Sequence, residues 1–171
     1  KDGIPLEITI IGDANEEPRS ISEKEKILGV IKKHSLAPKI RMLGYQPHST
    51  LLEEAARHHV FLSPSVTAED GDTEGGAPVA LIEMAAAGLP VISTTHCDIP
   101  EIIRHGETGL LAEERDVEGL VRHLQYTARH PEEIMKMVRR GREHVEKEFS
   151  ARKQGTILGN IYHKLASRPL S

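Results

Sequence analysis

The sequence predicts an α/β fold built on a mostly parallel sheet, and three observations carry that prediction. Apolar runs of strand length alternate with helical patterns along most of the chain, the arrangement that yields β-α-β units. The helical patterns open on readable caps, and one closes on Gly88, so helix and strand can be separated by punctuation as well as by period. The chain has 171 residues, 38% hydrophobic and 28% charged, which suits one globular domain with a real core and neither a disordered nor a membrane-embedded polymer.

The strand candidates are Leu6 to Ile11, Ile40 to Leu43, Val60 to Leu62, Pro90 to Ser93 and Gly109 to Leu111. Between them, Ser22-Glu23-Lys24-Glu25 reads as a capping box ahead of Ile27, Leu28, Val30 and Ile31, and Thr50-Leu51-Leu52-Glu53 as another ahead of Ala55 and Ala56. A third helix is predicted from Pro78 through Val79, Leu81, Ile82 and Met84 to Gly88, where the absence of Cβ permits a left-handed turn before Pro90. Beyond Leu111 the pattern is helical only: Asp116 to Thr127, Pro131 to Phe149, and Arg152 to Ala166 after a Ser150 cap. Charges on these last helices read as a solvated face. Leu6 to Ile11 is expected to be a buried strand. With only Gly3-Ile4-Pro5 as lead-in, an upstream region is expected to be missing.

Lys and Arg number 22 against 26 Asp and Glu, a net charge of -4, so the basic excess that nucleic acid requires is lacking. The single Cys97 rules out an internal disulfide and points to a reducing, cytoplasmic setting. No apolar run approaches the roughly 20 residues of a membrane span.

The chemistry is concentrated between Ser63 and Val91. Ser63-Pro64-Ser65 ends a strand, a polar loop follows to Thr73, and Glu74-Gly75-Gly76-Ala77-Pro78 leads into the apolar helix. Ligands of open parallel sheets bind at the carboxyl ends of strands. A helix N-terminus there offers unpaired N–H groups and about half a positive charge to a phosphate. Glu83, roughly 7.5 Å along the axis from Pro78 and about 140° around it, lies at the offset of a sugar ring. Its carboxylate can accept two charge-assisted bonds from a ribose diol, and as a carboxylate in an otherwise apolar helix it is costly to bury unpaired. Glu74, beside the glycines, can reach hydroxyls beyond the phosphates. Together they suit a nucleoside diphosphate carrying a hydroxylated group.

At these residues the chain resembles the retaining glycosyltransferases of family 4, specifically the C-terminal, donor-binding half of their two-domain GT-B fold. The likeness runs through Leu6 to Asp13, Leu43-Gly44, Ser63-Pro64-Ser65, the two-glutamate segment Glu74 to Val91, and Ile99-Pro100-Glu101-Ile102 with Gly106 to Leu110. It implies a Rossmann-like three-layer sandwich over residues 1–171, with an N-terminal acceptor domain and a first βα unit lying outside the segment. It further implies transfer of a sugar from a nucleotide-diphosphate donor to a hydroxyl acceptor with retained configuration, with no cofactor and no obligatory metal. By the resemblance Glu74, Gly75, Gly76 and Ala77 hold the donor sugar, Val79 and Ala80 the diphosphate, and Glu83 the ribose. Pro78 has no N–H to give, and no catalytic residue is assigned within the segment. Membrane contact is expected only through the absent half.

One departure bears on sugar choice. The family places seven residues between its glutamates, whereas Gly75 to Ile82 makes eight. The basic pair that neutralises the diphosphate in the family is expected upstream of Lys1. Charge supports this: no Lys or Arg occurs between Arg57 and Arg104, while seven acids do.

Other motifs carry less. Asp70-Gly71-Asp72 has the carboxylates of a Mg²⁺ or Mn²⁺ site but the composition of a solvated loop. The ten histidines show no zinc spacing. His58-His59 suit a helix end. Cys97, in His96-Cys97-Asp98, has neighbours that would suit a nucleophile, but a small side chain in a strand-following loop is much the better explanation. Ser63 and Ser65 lack a nucleophile elbow, and Tyr45 either flanks a base or packs. The rival functions are a GT-B-type nucleotide-sugar epimerase and a non-enzymatic, flavodoxin-like nucleotide-binding domain. The first strand lacks Gly-x-Gly-x-x-Gly, which argues against a dinucleotide site.

Overall fold

A computed structural model describes residues 3–73 and 75–167 of the chain. It contains two compact units, Lys1–Glu54 and Ala55–Ser171, and both are α/β with parallel strands.

In the first unit, β1 (Ile8–Ile10) pairs in parallel with β2 (Ile40–Met42), placing Ile8 opposite Ile40 and Ile10 opposite Met42. The strand is shorter than the Leu6 to Ile11 run and is not buried, with Ile8 39% exposed. A two-stranded sheet leaves each strand one open edge and little surface to cover its side chains. The helix between them, α1 (Pro18–Lys33), starts four residues ahead of Ser22 because Pro18 supplies a preset helical φ at the first turn. The Ser22 to Glu25 box is therefore inside the helix, and no residue of α1 is buried. Likewise α2 (His48–Ala55) begins after Pro47, so Thr50 lies in its first turn, where its N–H donates to the Pro47 carbonyl. Glu54 on α2 is buried and is paired with the Arg41 guanidinium of β2. Lys24 of α1 pairs with Asp13, holding that carboxyl below its ordinary range, with the Ala14 N–H as a further donor.

The second unit is built on β3 (Phe61–Ser63), β4 (Val91–Thr94) and β5 (Leu110–Ala112), parallel and in the order β3-β4-β5. The central strand is buried throughout, as parallel strands between covering helices are. Its two polar residues are satisfied by the neighbouring chain: Ser93 Oγ donates to the Ser63 carbonyl at 2.7 Å, and Thr94 Oγ1 donates to that of Ser65. Its helices are α3 (Val79–Ala87), the short α4 (Ile99–Ile102), α5 (Val117–Arg129), α6 (Pro131–Glu148) and α7 (Ala151–Ala166), the last of which buries no residue.

Leu81, Met84 and Ala85 of α3 are spaced one helical turn apart and are buried, and α3 packs on α6. The facing stripe of α6 is Ile134, Met137, Val138, Gly141 and Val145. Ile92, Leu110, Ile134, Met137 and Val138 form one core cluster, with Leu120 and Leu124 of α5 against it. Two glycines permit this closeness. A Cβ on Gly109 would stand 2.6 Å from Ile103 Cγ2, and one on Gly141 would stand 2.7 Å from the Thr108 carbonyl oxygen.

Capping follows local sequence here. Gly88 ends α3 at φ 85°, in the left-handed region. Asp116 caps α5 by accepting from the Gly119 N–H, and Ser150 caps α7 by accepting from that of Lys153.

Candidate donor site at the carboxyl edge of the second sheet

The carboxyl ends of β3, β4 and β5 release three loops on one edge of the parallel sheet. The first runs from Pro64 to Pro78. Its opening is fixed to β4 through the carbonyls of Ser63 and Ser65. Its middle is fixed to the exit of β5: the Thr67 N–H donates to Glu114 Oε2 at 2.7 Å, and Arg115 donates to the Thr67 carbonyl. The Asp70-Gly71-Asp72 tip is a turn with Gly71 at φ 84°. The carboxylates there accept from neighbouring backbone N–H groups, Asp70 Oδ1 from that of Asp72 and Asp72 Oδ1 from that of Thr73. Among the described residues no group of three His, Cys, Asp or Glu side chains is placed to hold a metal.

The chain then turns through Gly75, at φ 68°, and Gly76 into α3. Pro78 precedes the helix with φ -59° and ψ 132°, and no side chain caps the helix start. Among the described residues the N–H groups of Gly76, Ala77, Val79 and Ala80 have no acceptor. The first turn of α3 is thus a set of open donors at the sheet edge, the arrangement that receives an anion. The Val79 side chain is 66% exposed.

Glu83 lies four residues beyond Val79, roughly 6 Å along the axis and about 40° around it. It is half-buried, on the side of α3 that also carries the exposed Val79 and Ala87. It does not share the face of Leu81, Met84 and Ala85. A carboxylate there remains partly hydrated, which removes most of the burial cost that its apolar sequence context suggests. Glu74, the other expected anchor, lies outside the described residues. The structure therefore brings Gly75, Gly76, Ala77, Val79, Ala80 and Glu83 to one edge of the second unit. Tyr45 belongs to the first unit and is 68% exposed, so it is not a packed residue.

Sequence reasoning passed over Thr67 and Glu114, which brace this edge, and named His96 only as a neighbour of Cys97. His96 is 0% exposed, and its Nδ1 is 2.7 Å from Glu114 Oε1. The Thr67 N–H first, and His96 next, hold the Glu114 carboxyl below its ordinary range. Thr67 and Glu114 are 47 positions apart, so no local pattern announces the contact. Arg115 also partly fills the cation-free interval, coming from beyond β5, but its guanidinium is engaged with the loop carbonyl. The next loop approaches the glycines as well: a Cβ on Gly76 would lie 3.8 Å from Asp98 Oδ2.

Shallow grooves of about 380 Å³ against Pro131, Met135 and Arg139, and about 270 Å³ against Arg104, Arg140 and His144, run along α6. Neither groove includes a residue of the glycine turn. Among the described residues no helix is long and apolar enough to cross a membrane.

Known proteins share this architecture. The amylovoran biosynthesis glycosyltransferase AmsK of Erwinia amylovora is 37% identical over 127 residues, 74% of this chain and 31% of that protein. Sucrose-phosphate synthase from Thermosynechococcus elongatus superposes with a TM-score of 0.81 at 22% identity, covering 93% of this chain and 38% of its own. HepE from Anabaena, solved in complex with UDP-glucose, gives 0.74 at 19% identity, covering 94% and 40%. The chain thus spans about a third of the curated relative's length, and the solved neighbours share its Rossmann-like GT-B fold. The family model described as glycosyl transferases group 1 matches residues 1–144, and the chain belongs to that family.

Proposed function

We propose that this chain is the donor-binding half of a retaining glycosyltransferase, which moves a sugar from a nucleotide-diphosphate sugar to a glycan, lipid or other hydroxyl acceptor in the cytoplasm. The observation that carries the reading is the run of open N–H donors from Gly76 to Ala80 at a parallel sheet's carboxyl edge, with Glu83 one turn further along. The names of the relatives support it, and HepE's complex with UDP-glucose gives the class of donor.

In this reading the N–H groups of Val79 and Ala80 receive the diphosphate and those of Gly76 and Ala77 support the sugar, whereas the Gly75 N–H, expected to join them, donates to Thr73 Oγ1 at 3.1 Å, so that Gly75 contributes the turn. Glu83 accepts from the ribose diol, and Glu74 accepts from sugar hydroxyls. These groups bind and orient the donor without a metal. The acceptor, and the closure that keeps water from the anomeric carbon, belong to a second domain of a longer parent protein. A helix end contributes only about 0.3 to 1 kcal/mol toward an anion, or up to about 2 when partly buried. Cations beyond those of this chain are needed for tight binding.

Calorimetric titration with UDP-, GDP- and ADP-sugars tests the assignment. One of the three binds, with a dissociation constant weaker than micromolar, and Glu83→Ala weakens it about tenfold or more, the loss of a charge-assisted hydrogen bond. Sub-micromolar affinity, or a loss of affinity for Glu74→Ala and none for Glu83→Ala, would show the roles wrongly assigned.

A further inference from the structure

The loop from Pro64 to Pro78 carries the glycine turn, and connections this long are rare in a compact domain unless they bind or gate something. Beyond Thr67 it folds on itself. The Gly71 N–H donates to the Ala68 carbonyl at 3.0 Å, the Ala68 N–H to that of Asp72 at 2.9 Å, and the Gly75 N–H to Thr73 Oγ1 at 3.1 Å. At Thr67 the exit of β5 takes hold of the loop. The Thr67 N–H and hydroxyl donate to the carboxylate oxygens of Glu114, at 2.7 and 3.2 Å, and its carbonyl accepts from the Arg115 guanidinium. Each polar group of Thr67 is thus held by one of two consecutive residues. Glu114 is steadied in turn by the fully buried His96, whose Nδ1 lies 2.7 Å from Oε1. Arg115 is exposed and sits at φ 65°, a backbone state that glycine occupies freely and a residue with a Cβ does not. What arginine supplies there, and glycine would not, is the bond to the Thr67 carbonyl.

We propose that Glu114 and Arg115 are positioning residues for the nucleotide-sugar donor: by clamping Thr67 from the end of β5 they set the long loop, and with it the Gly75-Gly76 turn, before the donor arrives. The inference rests on the donor-binding reading above and deepens it, because it names residues that are assigned no contact with the donor. The gain is preorganisation. A free loop must be ordered as its ligand binds, and that ordering is subtracted from the affinity. A loop already tied to the sheet has lost the freedom on folding. Backbone donors are directional, so a turn that wanders misaligns several N–H groups at once. The clamp also leaves the charge of the edge unaltered, since Glu114 and Arg115 carry opposite signs and both are engaged with Thr67.

Arg115→Gly separates positioning from stability. It removes the guanidinium and gives φ 65° to the residue that fits it best, so its thermal midpoint is expected to equal or exceed that of the native chain. Donor binding is followed through the amide signals of Gly76, Ala77, Val79 and Ala80 in the ¹⁵N-labelled chain, titrated with UDP-glucose, GDP-mannose and ADP-glucose in turn. The native chain is expected to respond to one of them, and Arg115→Gly to bind that compound about five- to tenfold more weakly, the cost of ordering the loop. In the free variant, amides from Val66 to Thr73 should show larger picosecond-to-nanosecond motion by heteronuclear NOE. Glu114→Ala is expected to lose the exchange protection of the Thr67 amide and to weaken binding at least as much. Native affinity in Arg115→Gly, or in Glu114→Ala once Thr67 exchanges freely, overturns the positioning role. So does a loss of affinity that appears only together with a fall in the thermal midpoint. A native chain whose glycine turn stays silent with all three compounds instead refutes the donor reading, and the positioning role with it.

Discussion

Single residues divide sharply by whether their reason for being present is local. Gly88 and Asp116 could be placed from sequence because a helix stop and a helix start each involve partners within a few positions. Gly109 could not. Its value lies in Ile103 and the Val91 carbonyl, which an added Cβ would meet at 2.6 and 2.9 Å, and nothing in Thr108-Gly109-Leu110 reveals that crowding. Since the Val91 oxygen is backbone in the central strand, Gly109→Ala cannot be relieved by rotating a side chain. We predict a loss of about 1 to 3 kcal/mol, the cost of overpacking a dense core, read as a lower urea midpoint with an unchanged slope. A midpoint equal to that of the native chain would mean that β5 can shift away from β4 freely. The site residues split the same way. The glycines and Glu83 were legible because turn and helix chemistry is written in consecutive residues. Glu114, Thr67 and the contact of His96 with Glu114 were not, because folding alone brings the ends of three strands together.

Elements were legible to the extent that their ends are chemical rather than packed. All five strands fall where apolar runs predict them, shifted by a residue or two. The two N-terminal helices start earlier than their apparent capping boxes because a proline outranks them at the first turn. The short α4 was not predicted as a helix, since four residues carry too little periodicity to register. Where a cap is real it should be measurable. Asp116→Ala removes the acceptor of the Gly119 N–H and the ion-pair partner of Arg122. It is expected to destabilise the second unit by about 1 kcal/mol, in the usual range for a lost N-cap, whereas Asp116→Asn should retain most of that stability. Equal thermal midpoints for the alanine and asparagine variants would deny the cap its role. Exposure was the weaker part of the reading: α1 and β1 have core-like sequences and are not buried, because periodicity identifies an apolar face without identifying what covers it.

For the whole molecule, the charge distribution and the fold lead to the same expectation. In the proposed reading, a sheet edge with open N–H groups and no Lys or Arg between Arg57 and Arg104 would bind a diphosphate without holding it strongly, and the chain spans only 31% of its relative AmsK. Parallel strands, glycine turn and helix were readable in advance as elements of a GT-B-like fold. The bracing of the long loop by Glu114 and Arg115 was not, since it depends on which loops the sheet order β3-β4-β5 places side by side. The central claim concerns backbone N–H groups, so the most direct measurement observes them. In a ¹⁵N-labelled chain titrated with a nucleotide-diphosphate sugar, the largest amide shifts are expected at Gly76, Ala77, Val79 and Ala80, with α6 little changed. Shifts centred instead on Arg104, Arg140 and His144, with the glycine turn silent, would contradict the account.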